Sequence, residues 1–112
     1  MVRNIKNKDQ YDKALEYEGL TVVDFYMGWC GPCQKLRPVM EKIELDYKKA
    51  NKKLQIIKMD IDAIPSVSRA LKVEAVPRLY FFVNKKPVGK EIVGFKPEEK
   101  IVERIEKELK KV

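Results

Sequence analysis

Three short apolar segments, separated by helical patterns, constrain the fold of this chain most strongly. They are Leu20–Tyr26, Leu54–Ile61 and Leu79–Val83. Each is rich in β-branched and aromatic residues and predicts a strand, and the nearly continuous apolar character of the first two predicts that they are buried on both faces. Because strands separated by helices usually connect through crossovers, we expect these strands to run parallel.

The surrounding segments predict the other elements of the fold. A short edge strand is expected at Val2–Ile5. Helical spacing of apolar residues predicts four helices, at Lys8–Glu18, from Gly31 up to the basic segment Lys48–Lys53, at Ile64–Leu71, and from Pro97 onward. The turn Asn84–Pro87 and the segment Val88–Val93 predict an antiparallel hairpin that stops at Gly94. The order βαβαβαββα predicts a single α/β domain over residues 1–112, with a mixed central sheet and helices on both faces.

Three details of the predicted helices can be checked directly. Asn7 followed by Gln10 resembles a capping box, which places Asn7 at the N-cap of the first helix. Gly19 is expected to cap the C-terminus of that helix. Pro38 lies inside the second helical pattern, where a proline is expected to produce a kink.

Composition excludes several classes of site. The chain has no His and two Cys, so it cannot build a Ser-His-Asp triad, a Cys-His pair or a four-ligand structural zinc site. The longest apolar run, Val76–Val83, is interrupted by Pro77 and Arg78 and is shorter than the roughly 20 residues that span a bilayer. The polar segment Met1–Lys13 does not resemble a signal peptide, so we expect a cytoplasmic protein with reduced thiols.

The two cysteines stand in the segment Trp29-Cys30-Gly31-Pro32-Cys33, between a predicted buried strand and a predicted helix. Unpaired backbone N–H groups and the helix dipole stabilise a thiolate at Cys30, which is therefore the expected nucleophile. Cys33 lies within one helical turn and can close a disulfide with Cys30, as a resolving thiol does. Pro32 suits the first helical turn, Gly31 leaves room for a partner backbone, and Trp29 offers an apolar lip beside the sulfur. The segment predicts a dithiol–disulfide oxidoreductase.

Asp24 is the one charged residue in the strand that precedes the cysteines. A carboxyl group in apolar surroundings has a raised pKa, which suits proton exchange near neutral pH. Asp24 is therefore a candidate for taking the proton that Cys33 loses when it attacks. Lys58, on the neighbouring predicted strand, could hold or tune this carboxylate; an ordinary solvated lysine is the alternative.

The chain resembles the thioredoxin family along essentially its whole length. The matching segments, in order, are Val22-Val23-Asp24-Phe25-Tyr26, Trp29-Cys30-Gly31-Pro32-Cys33, Pro38, Lys58-Met59-Asp60-Ile61-Asp62, Val76-Pro77 and Gly94. The resemblance implies a thioredoxin-like fold in which Cys30 attacks, Cys33 resolves and Asp24 is the buried acid–base group. It also implies no bound cofactor, disulfide-containing protein substrates, and re-reduction by an NADPH-linked flavoprotein of the thioredoxin reductase kind.

The resemblance also implies a substrate groove. The bond before Pro77 would be cis, Val76 would offer its backbone to an extended substrate, and Gly94 would lie near the groove. Arg78 departs from the family, which commonly has Thr there. A guanidinium beside the sulfurs would favour the thiolate, make the pair more oxidising and could select acidic substrates. Two milder departures are Tyr26, in place of a common Trp, and Gly28, where a charged or small residue is usual.

Four functions can be compared at this point. The leading interpretation is a monomeric protein-disulfide reductase. The alternatives are an oxidase or isomerase on the same fold, and a non-catalytic module that binds partners through the Val76–Pro77 groove. The net charge of +7 raises nucleic-acid binding as a fourth function. Because basic and acidic residues are mixed along the chain, the charge favours a solvated surface, and we expect neither nucleic-acid nor membrane binding.

Overall fold

A computed structural model describes residues 1–112, which form one mixed sheet and four helices. The elements, in chain order, are β1 (Arg3–Asn4), α1 (Lys8–Ala14), β2 (Leu20–Tyr26), α2 (Gly31–Lys49), β3 (Leu54–Asp60), α3 (Pro65–Ala70), β4 (Arg78–Val83), β5 (Lys86–Pro87), β6 (Ile92–Val93) and α4 (Glu98–Leu109). The strand order is β1-β3-β2-β4-β5, and β6 also pairs with β4. None of the helices is long and apolar enough to cross a membrane.

Apolar side chains cover both faces of the sheet, which explains why the central strands lack alternation. One face packs against α2 and α4, through residues such as Leu36 and Ile101. The opposite face packs against α1 and α3, through residues such as Tyr11 and Val67. The predicted α/β architecture, with a mixed sheet and helices on both faces, is confirmed.

The direction of β4 differs from the prediction that strands separated by helices run parallel. β2 and β3 are parallel, but β4 runs antiparallel to β2. The six residues of α3 span about 9 Å, against about 23 Å for the seven residues of β3, and the connection does not carry the chain back along β3. The chain therefore enters β4 at the end of the sheet where β3 stops. In the register, Tyr26 pairs with Asp60 and Phe25 pairs with Arg78.

The start of α1 agrees with the sequence, whereas its end does not. Asn7 is the N-cap, and its side chain accepts a hydrogen bond from the Gln10 backbone N–H at 2.9 Å. The helix ends at Ala14 rather than Glu18, so Gly19 is not its C-cap. A Cβ at Gly19 would lie 2.5 Å from the Lys53 carbonyl oxygen, so this glycine allows the close approach of two chain segments before β2.

The hairpin after β4 is also shorter than predicted. Asn84 and Lys85 both have positive φ, 51° and 67°, and form a two-residue turn that leads directly into β5. The expected continuous strand Val88–Val93 is wrong, because Gly89 has a φ of 66° and separates β5 from β6. The second helix agrees better, since α2 continues from Gly31 to Lys49 with Pro38 inside it.

A buried ion pair fastens α4 to the loop between β5 and β6. Glu108 is 1% exposed, and its carboxylate lies 2.6 Å from Arg104 Nε and 2.7 Å from Lys111 Nζ. Arg104 also hydrogen-bonds the Lys90 carbonyl. Burial would raise the pKa of Glu108, but hydrogen bonds from Lys111 and Arg104 outweigh burial and hold this pKa below its ordinary value. A Cβ at Gly89, where φ is positive, would lie 2.5 Å from both Arg104 Nη2 and Glu108 Oε2, so a larger residue there would have to displace the ends of these two side chains.

Candidate active site

The Cys30–Cys33 disulfide lies at the N-terminus of α2, just beyond the C-terminal end of the central strand β2. The two Cα atoms are 5.2 Å apart. Cys30 is the N-cap residue in extended conformation, and its Sγ accepts a hydrogen bond from the Cys33 N–H at 3.1 Å. Gly31 and Pro32 form the start of the first turn, and Pro32 has no N–H that would lack a partner. The sulfur of Cys30 thus sits where free backbone N–H groups and the helix dipole stabilise negative charge.

The two cysteine residues differ in their exposure to solvent. Cys33 is buried, with 8% of its surface exposed, whereas Cys30 is half-buried. Trp29 is 93% exposed and therefore does not belong to the core. Cys30 is therefore the more exposed of the two cysteine residues.

The loop before β4 forms the opposite wall of the site. The Val76–Pro77 peptide bond is cis, as the resemblance implied. Cys30 Sγ lies 3.9 Å from the Val76 carbonyl oxygen, and the Gly94 N–H donates to the Pro77 carbonyl at 2.8 Å. Gly94 has a φ of 85°, and no atom lies within 4 Å of the position that its Cβ would take. The structure therefore brings Val76, Pro77 and Gly94 together on the open side of the disulfide.

Asp24 lies beneath the disulfide and is 7% exposed. Its Oδ1 atom is buried and has no hydrogen-bond partner. Burial raises the pKa of Asp24 to about 7, while the charges of Lys58 and Arg37 oppose the rise. Lys58 is the register partner of Asp24 on β3. A carboxyl group with this pKa can exchange a proton near neutral pH.

A small cavity of about 70 Å³ connects Asp24 with Cys33. It is lined by Asp24, Tyr26, Met27, Gly28, Cys33, Gln34, Arg37 and Lys58. Our sequence reasoning missed Arg37, although a signal was present, because a residue four positions after Cys33 lies on the same face of a helix. No three His, Cys, Asp or Glu side chains are arranged so that they could hold a metal ion.

Arg78 is hydrogen-bonded to the segment that follows α3. Its Nη1 donates to the Lys72 carbonyl at 3.1 Å, and its Nε is buried without a partner. Alternation along β4 places Arg78 on the same face as Tyr80, whose hydroxyl donates to the Leu71 carbonyl just after α3. The guanidinium is therefore engaged on the α3 face of the sheet, whereas the cysteines lie on α2.

Comparison with known proteins agrees with this geometry. The family model described as Thioredoxin matches residues 2–107. The chain belongs to the thioredoxin family. It is 42% identical over 91 residues to a thioredoxin from Staphylococcus saprophyticus, which covers 81% of this chain and 84% of that protein. It is 38% identical over 99 residues to a thioredoxin from Staphylococcus aureus, with coverage of 88% and 90%.

Solved structures of thioredoxins share the fold. A mutant thioredoxin from Halobacterium salinarum superposes with a TM-score of 0.84 at 28% identity, over 96% of this chain and 89% of that one. A thioredoxin from Malassezia sympodialis gives 0.82 at 29% identity, over 96% and 90%. With its Cys-Gly-Pro-Cys pair, this member of the thioredoxin family is a dithiol–disulfide oxidoreductase that acts as a protein-disulfide reductase. Its redox-active group is a disulfide of its own chain.

Proposed function

We propose that Cys30 is the attacking thiol, Cys33 the resolving thiol and Asp24 the proton acceptor when this protein reduces disulfides of other proteins. The observation that carries the proposal is the position of the Cys30 sulfur. It is accessible at the N-cap of α2 and accepts the Cys33 N–H at 3.1 Å. Both features favour a thiolate in the reduced protein, and the thiolate is the nucleophile in disulfide exchange.

In the first step, the Cys30 thiolate attacks one sulfur of the substrate disulfide. A bond forms between Cys30 and that sulfur, the substrate S–S bond breaks, and the second substrate sulfur leaves as a thiolate that takes a proton from water. In the second step, the Cys33 thiol gives its proton to Asp24, and the resulting thiolate attacks Cys30. The Cys30–Cys33 disulfide forms and the bond between Cys30 and the substrate sulfur breaks. That sulfur leaves as a thiolate that takes a proton from water, so the substrate has gained two electrons and two protons.

The substrate lies along the open side of the site in this proposal. The Val76 carbonyl oxygen, 3.9 Å from Cys30 Sγ, is placed to accept a hydrogen bond from an extended substrate backbone. Gly94 leaves free space beside this wall, and the exposed Trp29 supplies an apolar surface. A peptide can therefore be held by its backbone, which suits an enzyme that accepts many sequences.

The electron donor in this proposal is an NADPH-linked flavoprotein reductase of the thioredoxin reductase kind, and the protein works in the cytoplasm. Family membership supports both parts, since bacterial relatives are thioredoxins. The donor is tested by adding such a reductase to the oxidised protein and following NADPH consumption. Consumption should require both Cys30 and Cys33.

Two cysteine variants test the assigned order of attack. Cys33→Ser should accumulate a stable mixed disulfide between Cys30 and a test protein that has an exposed disulfide, because no resolving thiol is present. Cys30→Ser should form no such adduct and should lose reductase activity. Adduct formation through Cys33 in the second variant at an equal rate would contradict the assignment. Full activity of Cys30→Ser in cells would favour the binding module instead.

The reduction potential separates the reductase from the more oxidising alternative. The pair is equilibrated with defined glutathione or dithiothreitol mixtures, and a potential below the cytosolic glutathione poise is expected for a reductase. The alternative was suggested by Arg78, whose guanidinium is hydrogen-bonded to Lys72. We therefore expect Arg78→Met to leave the potential nearly unchanged. A large fall in potential in that variant would restore the oxidising interpretation.

A further inference from the structure

Arg37 and Lys58 are the only two cations that line the cavity between Asp24 and Cys33. They approach from different elements. Lys58 comes from β3, beside Asp24 in the register, and Arg37 comes from α2, one helical turn beyond Cys33. The cavity thus combines one buried carboxyl group, one buried sulfur and a positive charge on each side.

Neither cation forms a salt bridge with another carboxylate. Arg37 and Lys58 take part in none of the salt bridges of the chain. On the acidic side, Asp24 Oδ1 has no hydrogen-bond partner. The field of both cations therefore acts on a carboxylate that no closer group neutralises. A guanidinium cannot lose its proton at any relevant pH, so the charge of Arg37 is permanent.

We propose that Arg37 is a positioning residue for the resolving step, which holds Asp24 in its ionised form so that this carboxylate can accept the Cys33 proton. The proposal rests on the function assigned above to Asp24. Arg37 touches neither the substrate nor the reacting sulfurs in this scheme and acts only through the carboxylate. It also lies at the exposed side of the cavity, so its influence is weaker than that of a buried charge and depends on salt.

The charged and titratable groups that face Asp24 determine how its pKa responds to a substitution. Arg37 and Cys33 face it from α2, Lys58 from β3 and Tyr26 from its own strand, while β4 contributes the apolar Leu79. Removing Arg37 leaves Lys58 as the only opposing cation, so the carboxylate should be harder to ionise. We expect the pKa of Asp24 to rise by about half a unit in Arg37→Gln, because the lost charge is solvent-exposed.

The experiment measures the pKa of Asp24 directly, by carboxyl carbon NMR of the oxidised protein, in wild type, Arg37→Gln and Arg37→Lys. Lys35→Gln is the matched control, since it removes a charge from the same helix at an exposed residue that does not line the cavity. We expect a rise in Arg37→Gln, recovery in Arg37→Lys, and no change in Lys35→Gln. High salt should reduce the difference between wild type and Arg37→Gln.

A kinetic measurement then connects the pKa with the reaction. The mixed disulfide of Cys30 with a coloured aromatic thiol is formed by rapid mixing of the reduced protein with one equivalent of the symmetrical aromatic disulfide. Attack by Cys30 releases the first thiol, and release of the second thiol reports attack by Cys33 at each pH. Below the pKa of Asp24, release should be about threefold slower in Arg37→Gln, as half a pKa unit requires. In an Asp24→Asn background, the same change at Arg37 should have no effect on release.

The outcomes separate this proposal from the proposed function. If the pKa of Asp24 is unchanged in Arg37→Gln, or changes equally in Lys35→Gln, the proposed role of Arg37 is wrong. If release is nevertheless slow in the single variant Asp24→Asn, the acid–base role of Asp24 still stands. A raised pKa without a matching change in the release profile would overturn the acid–base role of Asp24. The role of Arg37 in the reaction would then fall with it.

Discussion

Replacing Asp24 by Asn should stabilise the oxidised protein at neutral pH and not in mild acid. Asp24 is almost completely buried, and burial raises its pKa to about 7 from an ordinary value of 3.8. Between these two values the folded protein binds a proton at Asp24 that the unfolded chain has lost. The free energy of unfolding therefore falls as pH rises through this window, and the loss is complete only above the folded-state pKa.

The magnitude follows from the difference between the two pKa values. Each pKa unit corresponds to about 1.36 kcal/mol, so ionised Asp24 costs the folded state about 4 kcal/mol near pH 8. The cost is below about 1 kcal/mol near pH 4, where Asp24 is protonated in the folded protein. Asn has nearly the same shape as a protonated carboxyl group, so the two proteins should have similar stability at the acidic end.

The assay is equilibrium urea unfolding of both proteins in the oxidised state, across this range of pH. Asp62→Asn, which removes an exposed carboxylate near the same end of the sheet, is the matched control and should give the same pH dependence as wild type. An advantage of Asp24→Asn that does not change with pH would refute the reasoning, since it would show that ionisation of a buried Asp24 is not the cause.

Two further predictions concern the ion pair that fastens α4. Glu108→Gln should lower the free energy of unfolding by about 1–2 kcal/mol at neutral pH, because Arg104 loses its charged partner. The loss should disappear as acid protonates Glu108 in wild type, and Glu103→Gln, at an exposed position of α4, should have little effect in urea unfolding. Gly89→Ala should destabilise the protein more than Gly94→Ala; both positions have positive φ, but only a Cβ at Gly89 meets other atoms, at 2.5 Å. Equal losses of stability in the two glycine variants would show that the contact of a Cβ at position 89 with Arg104 and Glu108 does not determine the effect.

Much of the site could be predicted from the sequence because its parts are local. Cys30 and Cys33 follow a strand of continuous apolar residues and open a helix, so their relation to the helix N-terminus is fixed within a few residues. Asp24 stands out for the same reason, as a charge in an apolar strand. The spacing of Arg37 from Cys33 indicates a shared helix face, but whether that face covers Asp24 at the end of β2 is a tertiary relation that the spacing does not give.

The elements that differed from prediction are those whose ends are decided by contacts with distant residues. α1 stops at Ala14, four residues before the predicted end, and the chain then approaches Lys53 closely at Gly19. The strand expected at Val88–Val93 is divided at Gly89, where Arg104 and Glu108 of α4 lie against the loop. The periodicity of apolar residues indicates which side chains face a core, but it does not indicate which residues distant in sequence will pack against a segment.

The antiparallel direction of β4 links these structural details to the chemistry. A parallel β4 would begin at the far end of the sheet from the cysteines, and Val76 could then not lie 3.9 Å from Cys30 Sγ. Because the segment between β3 and β4 does not return along β3, the loop before β4 stays at the end of the sheet where β2 leads into the N-terminus of α2. The nucleophile, the wall that faces the substrate and the buried carboxyl group thus meet at one end of the sheet because β4 runs antiparallel to β2.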